Sequence, residues 1–299
     1  MTGVRRLLSD ELAARWRTDG WCVIPAAFSG PELGEAAAAI PAIFPSAEEM
    51  DSGVDNERTR PWRSGEGPPW PEFPFDSAAL NALVVHESLI AMAEELLEAD
   101  DVRLYQATLT AKYANQSSGY NQLLHTDYPN HTLLVPRRDA GYQQLETYIY
   151  LNDVSAHNGA TRMVSRRLTA EIPVQRHTLG DAEYPALYDE PGSTGGPAGS
   201  IVAYRPDVYH RSVDVTEPGV QRFMLHVAYR SEKAEWGGYQ AWPFKGLQVA
   251  WYNFVQRASA RQLVAVGFPP PGHPYWTEET LAGVQARYPM LDMSAWVDP

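Results

Sequence analysis

The triplet His125-Thr126-Asp127 and the distant His210 are the residues of this chain whose types and spacing are best suited to chemistry. Side chains alternate between the two faces of a β-strand, so a strand through the triplet would place His125 and Asp127 on one face. His210 could join them from another strand. Two imidazoles and one carboxylate on one side of a metal leave its other side open, which suits non-haem Fe(II) with O₂ and a co-substrate.

The triplet alone is a weak signal. With 8 His and 37 Asp or Glu among 299 residues, a His-x-Asp or His-x-Glu triplet is expected by chance. Most such triplets on protein surfaces bind nothing. The metal hypothesis therefore depends on what surrounds these three residues.

Arg222 supplies the next indication of function. It follows the turn Glu217-Pro218-Gly219 and begins a strand on which Arg222 and His226 share one face. A hairpin after His210 would bring Arg222 near the metal, where a buried guanidinium needs an anionic partner. A small dicarboxylate that chelates iron at one end and meets Arg222 at the other would satisfy both sites. The alternatives are an ordinary salt bridge for Arg222 and a hydrogen-bonded core position for His226.

Composition limits the classes of protein to which this chain could belong. The net charge of −13 disfavours a nucleic-acid partner, and 44% hydrophobic residues suffice for a full core. A single cysteine, Cys22, excludes an internal disulfide and fits the cytoplasm. No stretch resembles a signal peptide or reaches transmembrane length. We therefore expect a soluble, cytoplasmic protein with no nucleic-acid or membrane partner; the sequence predicts no oligomeric state.

The first hundred residues are predicted to be mainly helical, and the segments that follow them are predicted to be strands. A helix over 9–19 with Ser9 as N-cap and Gly20 as its stop precedes a strand at 21–25. The remaining predictions are a helix from a capping box at Ser29–Glu32 to about Ile43, a long aromatic loop at 51–76 and one or two helices over 77–98.

From about residue 102 short runs rich in Val, Ile, Thr and Tyr alternate with turns, which is typical of an antiparallel sandwich or barrel. The predicted architecture is a single domain over 1–299. Its N-terminal helices and loop, about 1–100, pack on a β core at about 101–232, and an extension covers about 233–299. Trp62, Trp70, Trp236 and Trp242 could wall a substrate pocket, although core packing is the more common use of tryptophan.

Four segments in order give the chain a resemblance to a known family. They are RTDGWCVIPAAFSGPEL, HTD at 125–127, YLNDVSAHNGATRMV at 150–164, and GSIVAYRPDVYHRS at 199–212 with Arg222 beyond. In this combination the chain resembles the phytanoyl-CoA dioxygenase family of Fe(II)/2-oxoglutarate-dependent oxygenases. The segments span most of residues 17–230.

The resemblance implies a mainly β fold with flanking helices, built on a double-stranded β-helix (jelly-roll, cupin-like) core. It implies His125, Asp127 and His210 as Fe(II) ligands and Arg222 as the anchor of the distal carboxylate of 2-oxoglutarate. Ser212 matches a position that assists this anchor. Lys112 matches a further co-substrate contact and Thr161 a position lining the same pocket.

The implied activity is hydroxylation of a C–H bond of a small molecule, with release of succinate and CO₂. One departure is the run from Met163 to Arg167, which replaces the Pro-Gly-Ser-His turn common in the family. Halogenases of the family lack the carboxylate ligand, so Asp127 favours hydroxylation. Two alternatives stay open: a cupin-like metalloenzyme that does not use 2-oxoglutarate, in which Arg222 would be dispensable, and a non-catalytic barrel protein.

Overall fold

Two five-stranded antiparallel sheets form the centre of the molecule, as a computed structural model shows. The structure describes residues 4–64, 70–114, 121–131, 144–173, 176–189, 192–234 and 248–297. The predicted strand at 131–136 (HTLLVP) lies almost wholly outside these ranges, as do Trp236 and Trp242. Together the sheets and their helices confirm the predicted jelly-roll fold with flanking helices.

The larger sheet has the strand order β1-β8-β4-β10-β2. Its strands are β1 (Trp21–Ile24), β2 (Val102–Tyr113), β4 (Gln144–Tyr150), β8 (Ile201–Tyr204) and β10 (Gln221–Ser231). The long central strand β10 pairs with both β2 and β4. These strands are the β-rich runs that the sequence predicts.

The smaller sheet has the order β6-β3-β9-β5-β7 and consists of two-residue strands. They are β3 (Leu124–His125), β5 (Arg162–Met163), β6 (Thr178–Leu179), β7 (Gly192–Ser193) and β9 (His210–Arg211). In this sheet β9 lies between β3 and β5, with His210 opposite both His125 and Met163.

The two faces of β10 have different surroundings, as alternation predicts. Phe223, Leu225 and Val227 belong to the large hydrophobic cluster beneath the helices, together with Leu89 of helix α7 (Glu87–Leu97). Met224, on the other face, packs with residues of both sheets, among them Met163 of β5. The second face is therefore the interior of the barrel, and Arg222 and His226 share it.

Helices cover the outer face of the larger sheet. Helix α7 buries Leu89, Ile90, Ala93, Leu96 and Leu97 at helical spacing, and each buried leucine contributes about 1.5–3 kcal/mol to folding. The other helices are α1 (Asp10–Asp19), α2 (Pro31–Ala38), α3 (Ile40–Ile43), α4 (Ala47–Asp51), α5 (Arg60–Arg63), α6 (Ala78–Val84), α8 (Tyr128–His131), α9 (Pro185–Asp189), α10 (Val249–Val255), α11 (Ala260–Ala265), α12 (Glu278–Arg287) and α13 (Ser294–Val297), with a 3₁₀ turn at Arg166–Thr169.

Helix α1 has the predicted caps: Ser9 accepts from Leu12 N, and Gly20 adopts the left-handed conformation. The capping box predicted at Ser29 forms only in part. Glu32 Oε1 accepts from Ser29 N at 3.4 Å, but the residue directly before α2 is Gly30, which supplies no side-chain cap. Within the described residues, no helix is long and apolar enough to cross a membrane.

The segment 51–76, predicted to be a loop, contains helix α5. Most of the aromatic side chains of this segment are buried in the hydrophobic core. Trp62 is buried, packs edge-on against Phe44 and Tyr113, and donates to the carbonyl of Ala111. The interpretation of Trp62 as a pocket wall is therefore wrong. Trp70 is 53% exposed.

Candidate metal and co-substrate site

His125, Asp127 and His210 lie together inside the barrel, with one ligand atom from each residue within 4.8 Å of the others. Asp127 Oδ2 is 3.4 Å from His210 Nε2, and Asp127 Oδ1 is 3.8 Å from His125 Nε2. The two imidazole rings are 4.6 Å apart, centroid to centroid. The structure thus assembles the three residues that the spacing singled out.

The pairing of β3 with β9 brings the two histidines together, since His125 and His210 are directly opposite. Asp127 arrives differently, because β3 ends at His125 and Asp127 lies in a bend before α8. Its peptide N–H donates to the carbonyl of Pro206 at 3.1 Å. The strand alternation invoked for Asp127 is therefore wrong, although its outcome is right.

Both imidazoles are held in the tautomer that a metal requires. His125 Nδ1 lies 2.9 Å from the carbonyl of Leu123, and His210 Nδ1 lies 3.0 Å from that of Val208. A carbonyl can only accept, so each Nδ1 carries the proton and each Nε2 keeps its lone pair. Burial, with His210 beside it, lowers the pKa of His125, which favours the neutral form that binds metals.

The donor set fits Fe(II). Two neutral imidazoles and a carboxylate are the ligands that this ion uses in oxygenases, and the two Nε2 atoms and the carboxylate converge at one point of the barrel. Their hydrogen bonds to fixed backbone carbonyls supply the support that metal-binding histidines ordinarily have.

The other predicted site residues form two contacts at one end of the barrel. Lys112 Nζ donates to Ser212 Oγ at 2.9 Å and to the carbonyl of Val213. Arg222 Nη1 donates to the carbonyl of Gly159 and lies 3.5 Å from Thr161 Oγ1. All four predicted residues, Lys112, Ser212, Arg222 and Thr161, are at most 9% exposed.

The register of the strands explains why these four residues meet. Lys112 and Arg222 are directly opposite in the β2–β10 pair. Thr161 directly precedes β5 and Ser212 directly follows β9, and these two strands are antiparallel neighbours. Each sheet therefore contributes one pair to the same end of the barrel, next to His210.

Two cations side by side on a buried face create a strong preference for an anion. Burial, together with the charge of Arg222, lowers the pKa of Lys112 to about 7, while Asp214 opposes this shift. A carboxylate bound here would be attracted by both charges, and the planar guanidinium can meet it with two parallel hydrogen bonds.

A polar network that was not predicted from the sequence lies behind the triad. Tyr204 lies with its hydroxyl 2.7 Å from Asp127 Oδ2 and 2.5 Å from the hydroxyl of Tyr148. Burial raises the pKa of both phenols well above the usual range, so both keep their protons. The sequence does place one tyrosine on each of two predicted strands, β4 and β8. The contact between the two hydroxyls depends on the pairing of these strands, which the sequence alone does not show.

His226 belongs to the same inner face and is hydrogen-bonded to Glu146, with 2.8 Å between Nε2 and Oε2. The ring of His226 also packs against that of Tyr148 at 5.1 Å. Glu146 is fully buried, and burial raises its pKa. Of the two interpretations of His226, the structure thus favours a hydrogen-bonded interior histidine.

Comparisons with known proteins agree with this geometry. The family model of phytanoyl-CoA dioxygenase (PhyH) matches residues 16–222. No curated protein sequence matches the chain. Similarity to the following solved structures concerns the fold, because sequence identities are low.

The structure of EctD from S. alaskensis with 2-oxoglutarate and 5-hydroxyectoine has a TM-score of 0.57 at 16% identity, covering 81% of this chain and 85% of that one. The epimerase SnoN of nogalamycin biosynthesis, in complex with Fe³⁺, alpha ketoglutarate and nogalamycin RO, has a TM-score of 0.56 at 19% identity, covering 78% and 86%. HygX from Streptomyces hygroscopicus, with nickel and 2-oxoglutarate bound, has a TM-score of 0.51 at 15% identity, covering 75% and 88%.

Proposed function

Because this chain belongs to the phytanoyl-CoA dioxygenase family and is an Fe(II)/2-oxoglutarate-dependent oxygenase, we propose that it hydroxylates an unactivated C–H bond of a small molecule. The products of the co-substrate are succinate and CO₂. One observation carries the proposal: the His125–Asp127–His210 cluster shares the barrel interior with the buried cations Lys112 and Arg222.

Each residue of the site has a definite task in this proposal. His125, Asp127 and His210 hold Fe(II) from one side through two Nε2 atoms and a carboxylate oxygen. Arg222 binds the distal carboxylate of 2-oxoglutarate, and Lys112 adds a second positive charge. Ser212 and Thr161 keep these two cations in place through the contacts described above. When bound, the iron and 2-oxoglutarate supply the oxidising power, with O₂ as the oxidant.

Asp127 favours hydroxylation over halogenation, because a halide would need the position that its carboxylate occupies. The cupin-like alternative makes a different prediction, since a metalloenzyme that does not use 2-oxoglutarate has no need of Arg222. The proximity of Arg222 to Lys112, in the same barrel interior as the triad, supports the use of an anionic co-substrate.

The proposal extends to the organisation and setting of the protein. A single domain is supported by one hydrophobic cluster that includes Leu8, Leu145 and Trp296. A cytoplasmic location is supported by Cys22, the only cysteine, which is buried. The net charge of −13 argues against a nucleic-acid substrate.

Succinate formation tests the proposed reaction. The purified protein with Fe(II), 2-oxoglutarate, ascorbate and air is expected to release succinate slowly, and faster with a true substrate from a panel of small molecules. Asp127→Ala, which removes a ligand, should release none. The proposal fails if the wild-type protein forms no succinate, or if Asp127→Ala forms as much as the wild type.

Co-substrate binding is expected to weaken as the pH rises through about 7, because Lys112 then loses its charge. A bound dianion favours the protonated form of Lys112, so binding takes up a proton, and by linkage the affinity is greatest on the acidic side. Arg222 stays charged throughout, and Asp214 partly offsets the shift. The measurement is the pH dependence of the dissociation constant of 2-oxoglutarate for protein saturated with Fe(II) under anaerobic conditions.

The matched control for this pH dependence is Lys112→Arg, whose guanidinium remains charged over the whole range. Its affinity for 2-oxoglutarate should change less with pH than that of the wild type. Parallel pH profiles for the two proteins would show that Lys112 is not the titrating contact.

A further inference from the structure

Asp127 is hydrogen-bonded to a tyrosine, whereas the hydrogen bonds described for the two histidine ligands go to backbone carbonyls. The ring of the same tyrosine, Tyr204, also packs edge-on against His210. A backbone carbonyl orients each histidine: that of Leu123 orients His125, and that of Val208 orients His210. Asp127 instead meets the hydroxyl of Tyr204, at 2.7 Å from Oδ2. Tyr204 comes from β8 in the larger sheet, so this contact joins the two sheets across the barrel.

The strand that carries His125 does not extend to Asp127. Because β3 ends at His125, no strand ladder fixes the direction of the Asp127 side chain. Its peptide N–H is bonded to the carbonyl of Pro206, which places the backbone, while the orientation of the carboxylate depends on the contacts of the side chain itself. The hydroxyl of Tyr204 is one such contact, and at 2.7 Å from Oδ2 it favours one rotation of the carboxylate.

The direction of the hydrogen bonds follows from the number of protons. A phenol has one hydrogen and a carboxylate can only accept, so Tyr204 donates to Asp127 Oδ2. The short contact of 2.5 Å between the phenol oxygens then requires Tyr148 to donate to Tyr204. A donor that itself accepts a hydrogen bond is polarised and binds its acceptor more strongly.

Packing holds Tyr148 in this role. Its ring contacts the rings of Tyr204 at 5.0 Å and of His226 at 5.1 Å. His226 is in turn fixed by its hydrogen bond to the fully buried Glu146. The larger sheet therefore presents the Tyr204 hydroxyl from a rigid support.

We propose that Tyr204, supported by Tyr148, is a positioning residue that holds the Asp127 carboxylate in the orientation needed to bind the metal. This inference rests on the metal site of the proposed function and concerns the affinity of that site for its ion. Under this proposal the inner face of the larger sheet takes part in metal binding by supporting a ligand, although it supplies no ligand itself.

The test compares phenylalanine variants in anaerobic titrations with Fe(II), and with Co(II) followed by its visible absorption. Tyr204→Phe is expected to lower metal affinity about 10-fold, the lower range for loss of a residue that supports a ligand. Tyr148→Phe, which keeps the direct contact, should cause a smaller loss and a Co(II) spectrum closer to that of the wild type.

Tyr229→Phe is the matched control. Tyr229 is also fully buried, and its hydroxyl donates to a backbone carbonyl, that of Val84, at 2.5 Å. This variant loses one buried hydrogen bond outside the site and should bind Co(II) with wild-type affinity and spectrum. The thermal midpoints of the apoproteins show whether Tyr204→Phe and Tyr229→Phe are destabilised to a similar extent.

Wild-type affinity and an unchanged Co(II) spectrum in Tyr204→Phe would overturn the positioning role, whatever the enzyme's activity. An equal loss in Tyr229→Phe would also overturn it, because the effect would then be one of general stability. If the wild type binds metal but forms no succinate, the proposed oxygenase reaction fails while the role of Tyr204 is still decided by affinity. If the wild type binds no metal, both proposals fail.

Discussion

His210→Ala is expected to abolish stoichiometric binding of Fe(II). The variant removes one of three donor atoms, and the remaining His125 and Asp127 cannot close a three-point site. Loss of a residue that only supports a ligand costs about 10–100-fold in affinity, so loss of the ligand itself should exceed about 100-fold. Anaerobic titration with Fe(II), with bound metal counted after desalting, measures this effect.

His157→Ala is the matched control for His210→Ala, because its side chain is exposed and lies outside the triad. It should bind one equivalent of Fe(II), as the wild type does. Apo His210→Ala should keep its fold, since the hydrogen bond described above that it loses is a single one, between Nδ1 and the carbonyl of Val208. Full metal binding by His210→Ala would refute the assignment of the triad.

Arg222→Ala is expected to raise the 2-oxoglutarate concentration needed for half-saturation by about 100-fold or more. Truncating one partner of a buried, hydrogen-bonded charge pair costs about 2–5 kcal/mol, and the residual charge of Lys112 compensates only part of it. Fe(II) affinity should change little, since Arg222 contacts Gly159 and Thr161 and is not a member of the triad. The two titrations therefore separate anchoring of the co-substrate from binding of the metal.

Arg222→Lys provides the graded control. It keeps a positive charge at the site but cannot form two parallel hydrogen bonds, so its half-saturation should lie between those of the wild type and Arg222→Ala. Equal requirements for 2-oxoglutarate in all three proteins would contradict the anchoring role and favour the cupin-like alternative.

Much of the site could be predicted because it depends on local periodicity. Alternation along β10 correctly places Arg222 and His226 on the inner face of the strand, and Phe223 and Leu225 on its outer face. The antiparallel arrangement of short strands follows from their turn-separated β-branched and aromatic runs. The meeting of His125 with His210 then needs only that their strands be neighbours, which the jelly-roll implies.

The parts that sequence reasoning missed depend on tertiary contacts. The sequence indicates only that Tyr204 faces inward, and its contact with Asp127 becomes visible once β8 is placed in the fold. In the same way, the charge of Glu146 in β4 is explained only by its hydrogen bond to His226. The capping box at Ser29 forms only in part for a local reason. Pro31 follows Gly30 and the helix begins one residue later than the box requires, although Glu32 still accepts from Ser29 N. Helix α5, within the predicted loop, is stabilised because Trp62 is buried in the core. This burial is a tertiary contact that the local sequence pattern does not indicate.

The most direct test of the central claim is an anaerobic titration of the apoprotein with Fe(II) and then with 2-oxoglutarate, followed by visible absorption. We expect an iron-to-keto-acid charge-transfer band that saturates with one equivalent of iron, is absent in His210→Ala and needs far more 2-oxoglutarate in Arg222→Ala. Fe(II) binding without such a band in the wild type would contradict the use of 2-oxoglutarate, and failure to bind Fe(II) would contradict the metal site.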